Sequence, residues 1–68
     1  MKVKNFIKLY SHSDNINVEL YEINENVEWH TDIDTLRTDD GRHKEWKNAE
    51  IVGWYIICDD IIGLSVIK

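Results

Sequence analysis

Apolar and polar positions sort most cleanly at the C-terminal end of the chain. The runs Ile51–Ile57 and Ile61–Ile67 flank Cys58-Asp59-Asp60, the pattern of a β-hairpin. Closure on Asp59-Asp60 alone would set even positions against odd ones. Closure on Cys58, Asp59 and Asp60 puts Val52, Trp54, Ile56, Ile62, Leu64 and Val66 on one wholly apolar face. Val52, Trp54, Ile56, Leu64 and Val66 are therefore expected to be buried together, with Trp54 pointing inward. The other face holds Ile51, Gly53, Tyr55, Ile57, Ile61, Gly63, Ser65 and Ile67, and Tyr55 lies across from Gly63, where its ring covers bare backbone. A slip of one residue scrambles both faces. The loop also lacks the Gly or Asn that a two-residue type I′ turn favours, so the longer loop is the expected one.

Earlier in the chain the period changes. Val3, Phe6, Ile7 and Tyr10 follow helical spacing, with Lys2, Lys4 and Lys8 on the other side. A short helix is expected there, with a strand as the competing reading, and Ser11–Asn15 ends it in turn-forming residues. Ile16, Val18 and Leu20 then alternate, and Tyr21 and Ile23 take over the apolar role, a phase shift that a bulge would explain. Asn24-Glu25-Asn26 reads as a turn, and Val27, Trp29, Thr31 and Ile33 alternate on the return, pairing Ile23 with Val27 and Tyr21 with Trp29. Thr38–Gly41 reads as a further turn, and Arg42–Asn48 as one helical turn with Trp46 pointing inward. The expected fold is a single small α+β domain over residues 1–68, with a short N-terminal helix packed on an antiparallel sheet of two β-hairpins.

Size restricts what such a domain can do. With 68 residues it buries only about 60% of the surface its unfolded chain exposes, which leaves little room for a deep catalytic pocket. No signal peptide or long apolar run is visible, so a soluble, cytoplasmic protein without membrane contact is expected. The lone cysteine, Cys58, makes no internal disulfide and suits a reducing compartment. Proline is absent and Asn, Ile, Lys and Asp are frequent, the bias of a low-GC bacterium or its phages.

Charge changes the picture most. Residues 1–13 carry lysines and no acid, whereas residues 14–36 carry Asp14, Glu19, Glu22, Glu25, Glu28, Asp32 and Asp34 and no Lys or Arg, within a net charge of −5. The first hairpin thus reads as an acidic surface without internal neutralisation, with Glu22 opposite Glu28. Such a surface steers a basic partner or simply keeps a small protein soluble. Direct nucleic-acid binding is not expected, because Arg37, Arg42, His43, Lys44 and Lys47 are interleaved with Asp39, Asp40, Glu45 and Glu50.

Catalytic chemistry finds no constellation. His30-x-Asp32-x-Asp34 would align on one strand face as metal ligands, but no second His or Cys cluster completes a site. His12, His30 and His43 lie in separate segments away from any plausible nucleophile. Asp59-Asp60 reads as a solvated turn and Cys58 as a packing residue. No enzyme activity, cofactor or metal is expected. The outer hairpin face with Ile51, Tyr55, Ile57, Ile61 and Ile67 is too apolar to remain wet, so the middle segment covers it or it serves as a dimer face.

The stretches Met1–Tyr10, Asn17-Val18-Glu19-Leu20 and Glu50–Ile56 before a terminal strand resemble, as a pattern, small accessory proteins of Firmicutes phages and mobile elements. That group includes anti-CRISPR and other anti-defence inhibitors. The resemblance implies a non-enzymatic protein-binding inhibitor of a host nucleic-acid-handling defence complex, acting in the host cytoplasm. Its partner would be a basic host protein such as a CRISPR effector. The resemblance assigns no site residue; it is the charge layout that offers Glu19, Glu22, Glu25, Glu28, Asp32 and Asp34 as the partner-binding carboxylates. The alternative is a structural or accessory phage protein that works as a homodimer.

Overall fold

The computed structural model describes residues 1–10, 16–38, 41 and 43–68. In chain order these form α1 (Val3–Ile7), β1 (Asn17–Glu22), β2 (Val27–Asp32), α2 (Ile33–Thr38), α3 (Lys44–Lys47), β3 (Glu50–Cys58) and β4 (Ile61–Ile67). The turns read at Ser11–Asn15 and Asp39-Asp40, and Arg42, lie outside the described residues. The expected α+β class holds. Both hairpins form and join in one sheet of order β2-β1-β4-β3. The seam between them is parallel rather than antiparallel, with Val18 beside Ile62, Leu20 beside Leu64 and Glu22 beside Val66.

That seam decides where the core sits. Val18, Leu20, Leu64 and Val66 point to one face and are buried against Val3 and Ile7 of α1, Ile33 and Leu36 of α2, and Trp46 of α3. The helices therefore lie together on that side, over the two central strands. Trp46 does point inward, 6% exposed, and Trp29 packs beside it with ring centroids 5.8 Å apart. Among the described residues no helix is long and apolar enough to cross a membrane.

Several expectations fail, each for a local reason. The C-terminal hairpin keeps the expected register from Gly53↔Ser65 to Ile56↔Ile62, and Tyr55 does cover Gly63. A Cβ added at Gly63 would lie 2.3 Å from the Tyr55 ring. However, the register shifts around Ile57, Cys58 pairs with Ile61, and the turn closes on Asp59-Asp60 alone. Trp54 is not a core residue either: it is 65% exposed, with Val52 and Ile56 also exposed. All three belong to β3, an edge strand beyond the reach of the short helices, and a second register shift around Val52 takes it out of alternation.

The first hairpin runs one residue off the expected pairing, with Leu20↔Trp29, Tyr21↔Glu28 and Glu22↔Val27 around a turn at Ile23–Asn26. Asn26 takes a positive φ of 58° there, which Asn tolerates better than most side chains. β1 has no bulge; its inward alternation continues through Val18, Leu20 and Glu22, and Ile23 leaves into the turn. The return strand stops at Asp32, whose carboxylate accepts from the Thr35 amide at 3.0 Å and hydroxyl at 2.7 Å. This cap starts α2, so Ile33 is the first residue of a helix instead of the last of a strand.

Candidate functional site

With every helix on one side, the opposite face of the sheet is uncovered among the described residues. The two hairpins give it two characters. On the β1–β2 half, Glu19 stands opposite His30 and Tyr21 opposite Glu28. The His30 Nδ1 lies 3.0 Å from a Glu19 carboxylate oxygen, and its Nε2 lies 3.8 Å from Glu28. An open depression of ≈ 380 Å³ runs beside them, lined in part by Asn17, Asp32 and Ile61. On the β3–β4 half, Tyr55 lies over Gly63, and Ile61 and Ile67 are half-buried. Ile57 is 42% exposed at the register shift. Ile51 is not part of this face: it pairs with Val66 and packs against the core on the helix side.

The six carboxylates expected to meet a partner divide into two groups. Glu22, 2% exposed, is a structural anchor: it accepts from the Lys68 amide at 3.0 Å and the Glu25 amide at 2.6 Å. Asp32 caps α2, and Asp34 pairs with Arg37 at 2.9 Å. Glu19, Glu25 and Glu28 remain available at the surface, their side chains 32%, 64% and 66% exposed. The expected acidic surface without internal neutralisation instead meets cations from other segments, Arg37 at Asp34 and the C-terminal Lys68 at Glu25. Lys68 brings its ammonium to 3.7 Å from Glu25 and 4.0 Å from Glu45, while resting 4.3 Å from the Trp46 ring centre. The expected opposition of Glu22 and Glu28 does not occur, because Glu22 faces inward and Glu28 outward.

Hydrogen bonds to the Lys68 and Glu25 amides hold the Glu22 carboxyl below the usual carboxylate range. The stability it contributes is fully present above the unfolded-state value of about 4.3 and is lost as pH falls through the lower folded-state value. Glu22→Gln should therefore melt below wild type at neutral pH, with the two melting curves converging in acid. A constant offset in thermal melts across the whole pH range would overturn this role. Asp32 is likewise held low, by the Thr35 hydroxyl first and then its amide. The Cys58 thiol is pushed up, chiefly by its hydrogen bond to the Asp60 carboxylate at 3.4 Å, which disfavours the nucleophilic thiolate. The His30, Asp32 and Asp34 set is divided by the strand-to-helix transition, and no metal-binding group forms among the described residues.

A second feature was not expected from the sequence. Of the exposed large apolar residues, Met1, Leu9, Val52, Trp54, Tyr55, Ile56 and Ile57 gather at α1 and β3, whereas only Ile23 and Val27 lie at the far hairpin. Met1, Phe6 and Leu9 face Val52 and Trp54 across an open groove of ≈ 490 Å³. The signal was present as the uncharged run Ile51–Cys58, but strand alternation assigned half of it to a core. No protein family model, curated protein or solved structure matches the chain.

Proposed function

We propose that this chain is a non-enzymatic protein-binding inhibitor whose uncovered sheet face docks on a basic surface of a nucleic-acid-handling complex. The observation that carries this reading is the composition of that face. Surface carboxylates at Glu19 and Glu28 adjoin an apolar patch at Tyr55, Ile61 and Ile67 on one uncovered sheet. Carboxylates steer a basic partner and set its orientation, and the apolar patch supplies contact area once it arrives. A phage-encoded inhibitor of a defence complex, such as a CRISPR effector in the host cytoplasm, fits this division of labour. Phosphate-binding Lys and Arg on the effector would then be occupied by protein carboxylates.

Glu22 does not belong to this surface, so the test uses Glu19, Glu25 and Glu28. Their joint replacement by Gln should leave the fold intact and slow association with a guide-loaded CRISPR effector by roughly 10-fold at low salt. The measurement is the association rate as a function of ionic strength. A triple variant that associates as fast as wild type would rule out carboxylate steering.

A further inference from the structure

The outer edge of β3 is occupied over its first residues only. The Val3 amide donates to the Ala49 carbonyl at 3.0 Å, the Ile51 amide donates to the Met1 carbonyl at 2.8 Å, and Lys2 bridges Glu50. From Val52 to Cys58 no strand lies beside β3 among the described residues. Edge strands are ordinarily guarded by charges, prolines or covering elements. This segment has neither charge nor proline, and its Trp54 and Ile56 side chains are 65% and 67% exposed. Its two register shifts lie at its ends, around Val52 and Ile57, and leave Gly53–Ile56 regular between them.

We propose that two copies of the chain pair their β3 strands antiparallel about a two-fold axis at Tyr55, joining their sheets into one continuous sheet. The axis follows from the free length. Val52–Cys58 is centred on Tyr55, so Val52 meets Cys58 of the second copy, and that copy's chain turns away at Asp59-Asp60 before it reaches the Met1–Val3 segment. An axis one residue earlier would push Ile57 of the second copy into the place where Met1 pairs with Ile51. Centred on Tyr55, Trp54 meets Ile56 of the second copy, and Ile56 meets its Trp54. These aromatic and β-branched pairs are the kind that stabilise neighbouring strands.

Charge complementarity selects a second copy over an unrelated strand. The Met1–Val3 segment beside β3 carries Lys2, with Lys4 following in α1, and the strand runs into the acidic turn Asp59-Asp60. Glu50, at the basic end, is held by the Met1 amine. Reversal by the two-fold brings the acidic turn of each copy against the lysine end of the other. Because antiparallel neighbours in one sheet keep their faces, both uncovered faces would look the same way and could engage a partner at two points.

Sedimentation of the full chain under reducing conditions, from low micromolar concentration upward, tests the pairing. A concentration-dependent dimer is expected. Trp54→Lys and Ile56→Lys, at exposed positions, should keep native circular dichroism and weaken association by roughly 30-fold or more. Val27→Lys, on the opposite edge strand, should leave it unchanged. In a Cys58→Ser background, Tyr55→Cys should form an intermolecular disulfide on oxidation, since facing Cα atoms lie within disulfide range. A monomer throughout the range overturns the proposal. So does a dimer that tolerates both lysine variants, or a dimer in which Tyr55→Cys does not cross-link.

Discussion

Truncating Leu64 to Ala should cost about 2–5 kcal/mol, close to the whole stability of so small a domain. Leu64 is fully buried at the centre of the sheet, beside Leu20 on β1 and across from Trp54 on β3. The two neighbours differ sharply in burial: Leu20 is 1% exposed and Trp54 is 65% exposed. Trp54→Ala should accordingly leave the melting temperature of a dilute sample nearly unchanged, although a tryptophan is the larger side chain. Parallel thermal melts of the two variants check this. A Trp54→Ala variant as unstable as Leu64→Ala would restore Trp54 to the core and remove the exposed edge.

Arg37→Ala should cost about 1.5–3 kcal/mol, because charged hydrogen bonds to partly buried carbonyls would be lost. The Arg37 guanidinium donates to the Ile7 carbonyl at 3.2 Å and to the Tyr10 carbonyl, while its other nitrogen reaches Asp34 at 2.9 Å. It thereby fastens the end of α1, itself too short to persist alone, to α2. Arg37→Lys should recover only part of the loss, since a single ammonium cannot reproduce the planar fork. Denaturant unfolding of the three proteins measures the order, and equal stability of the Lys variant and wild type would dismiss the clamp.

Local patterns carried the elements well and their assembly poorly. The helix at Val3–Ile7 and the Tyr55–Gly63 pair rest on local periodicity or on a single hairpin, where alternation is informative. Trp46 was legible as the large apolar residue of an otherwise polar turn. Glu22 shows the opposite case. Its inward phase was legible from Val18 and Leu20, but a carboxylate on the core side required donors, and besides the nearby Glu25 amide one of them is the distant amide of Lys68. Trp54 failed for a related reason: alternation says which face a side chain takes, not whether a helix is long enough to cover that face. The acidic surface was legible as composition. Its reduction to Glu19, Glu25 and Glu28 was not, because the cap at Asp32 and the Arg37 partner of Asp34 depend on an unrecognised helix.

The parallel seam between β1 and β4 also bears on how the chain reaches this state. Each hairpin closes over a short loop, but Asn17 finds Ile61 only after the whole intervening chain has been gathered. Local hairpins form in microseconds, whereas distant pairings must first overcome the entropy of closing a long loop. Joining the hairpins is therefore the expected slow step of folding, the step at which the core side chains Leu20 and Leu64 first meet. Neither hairpin outlives the other in this scheme, because a two-stranded ribbon is at best marginal in water. During synthesis the first hairpin must wait, unprotected, until the last residues of β4 emerge.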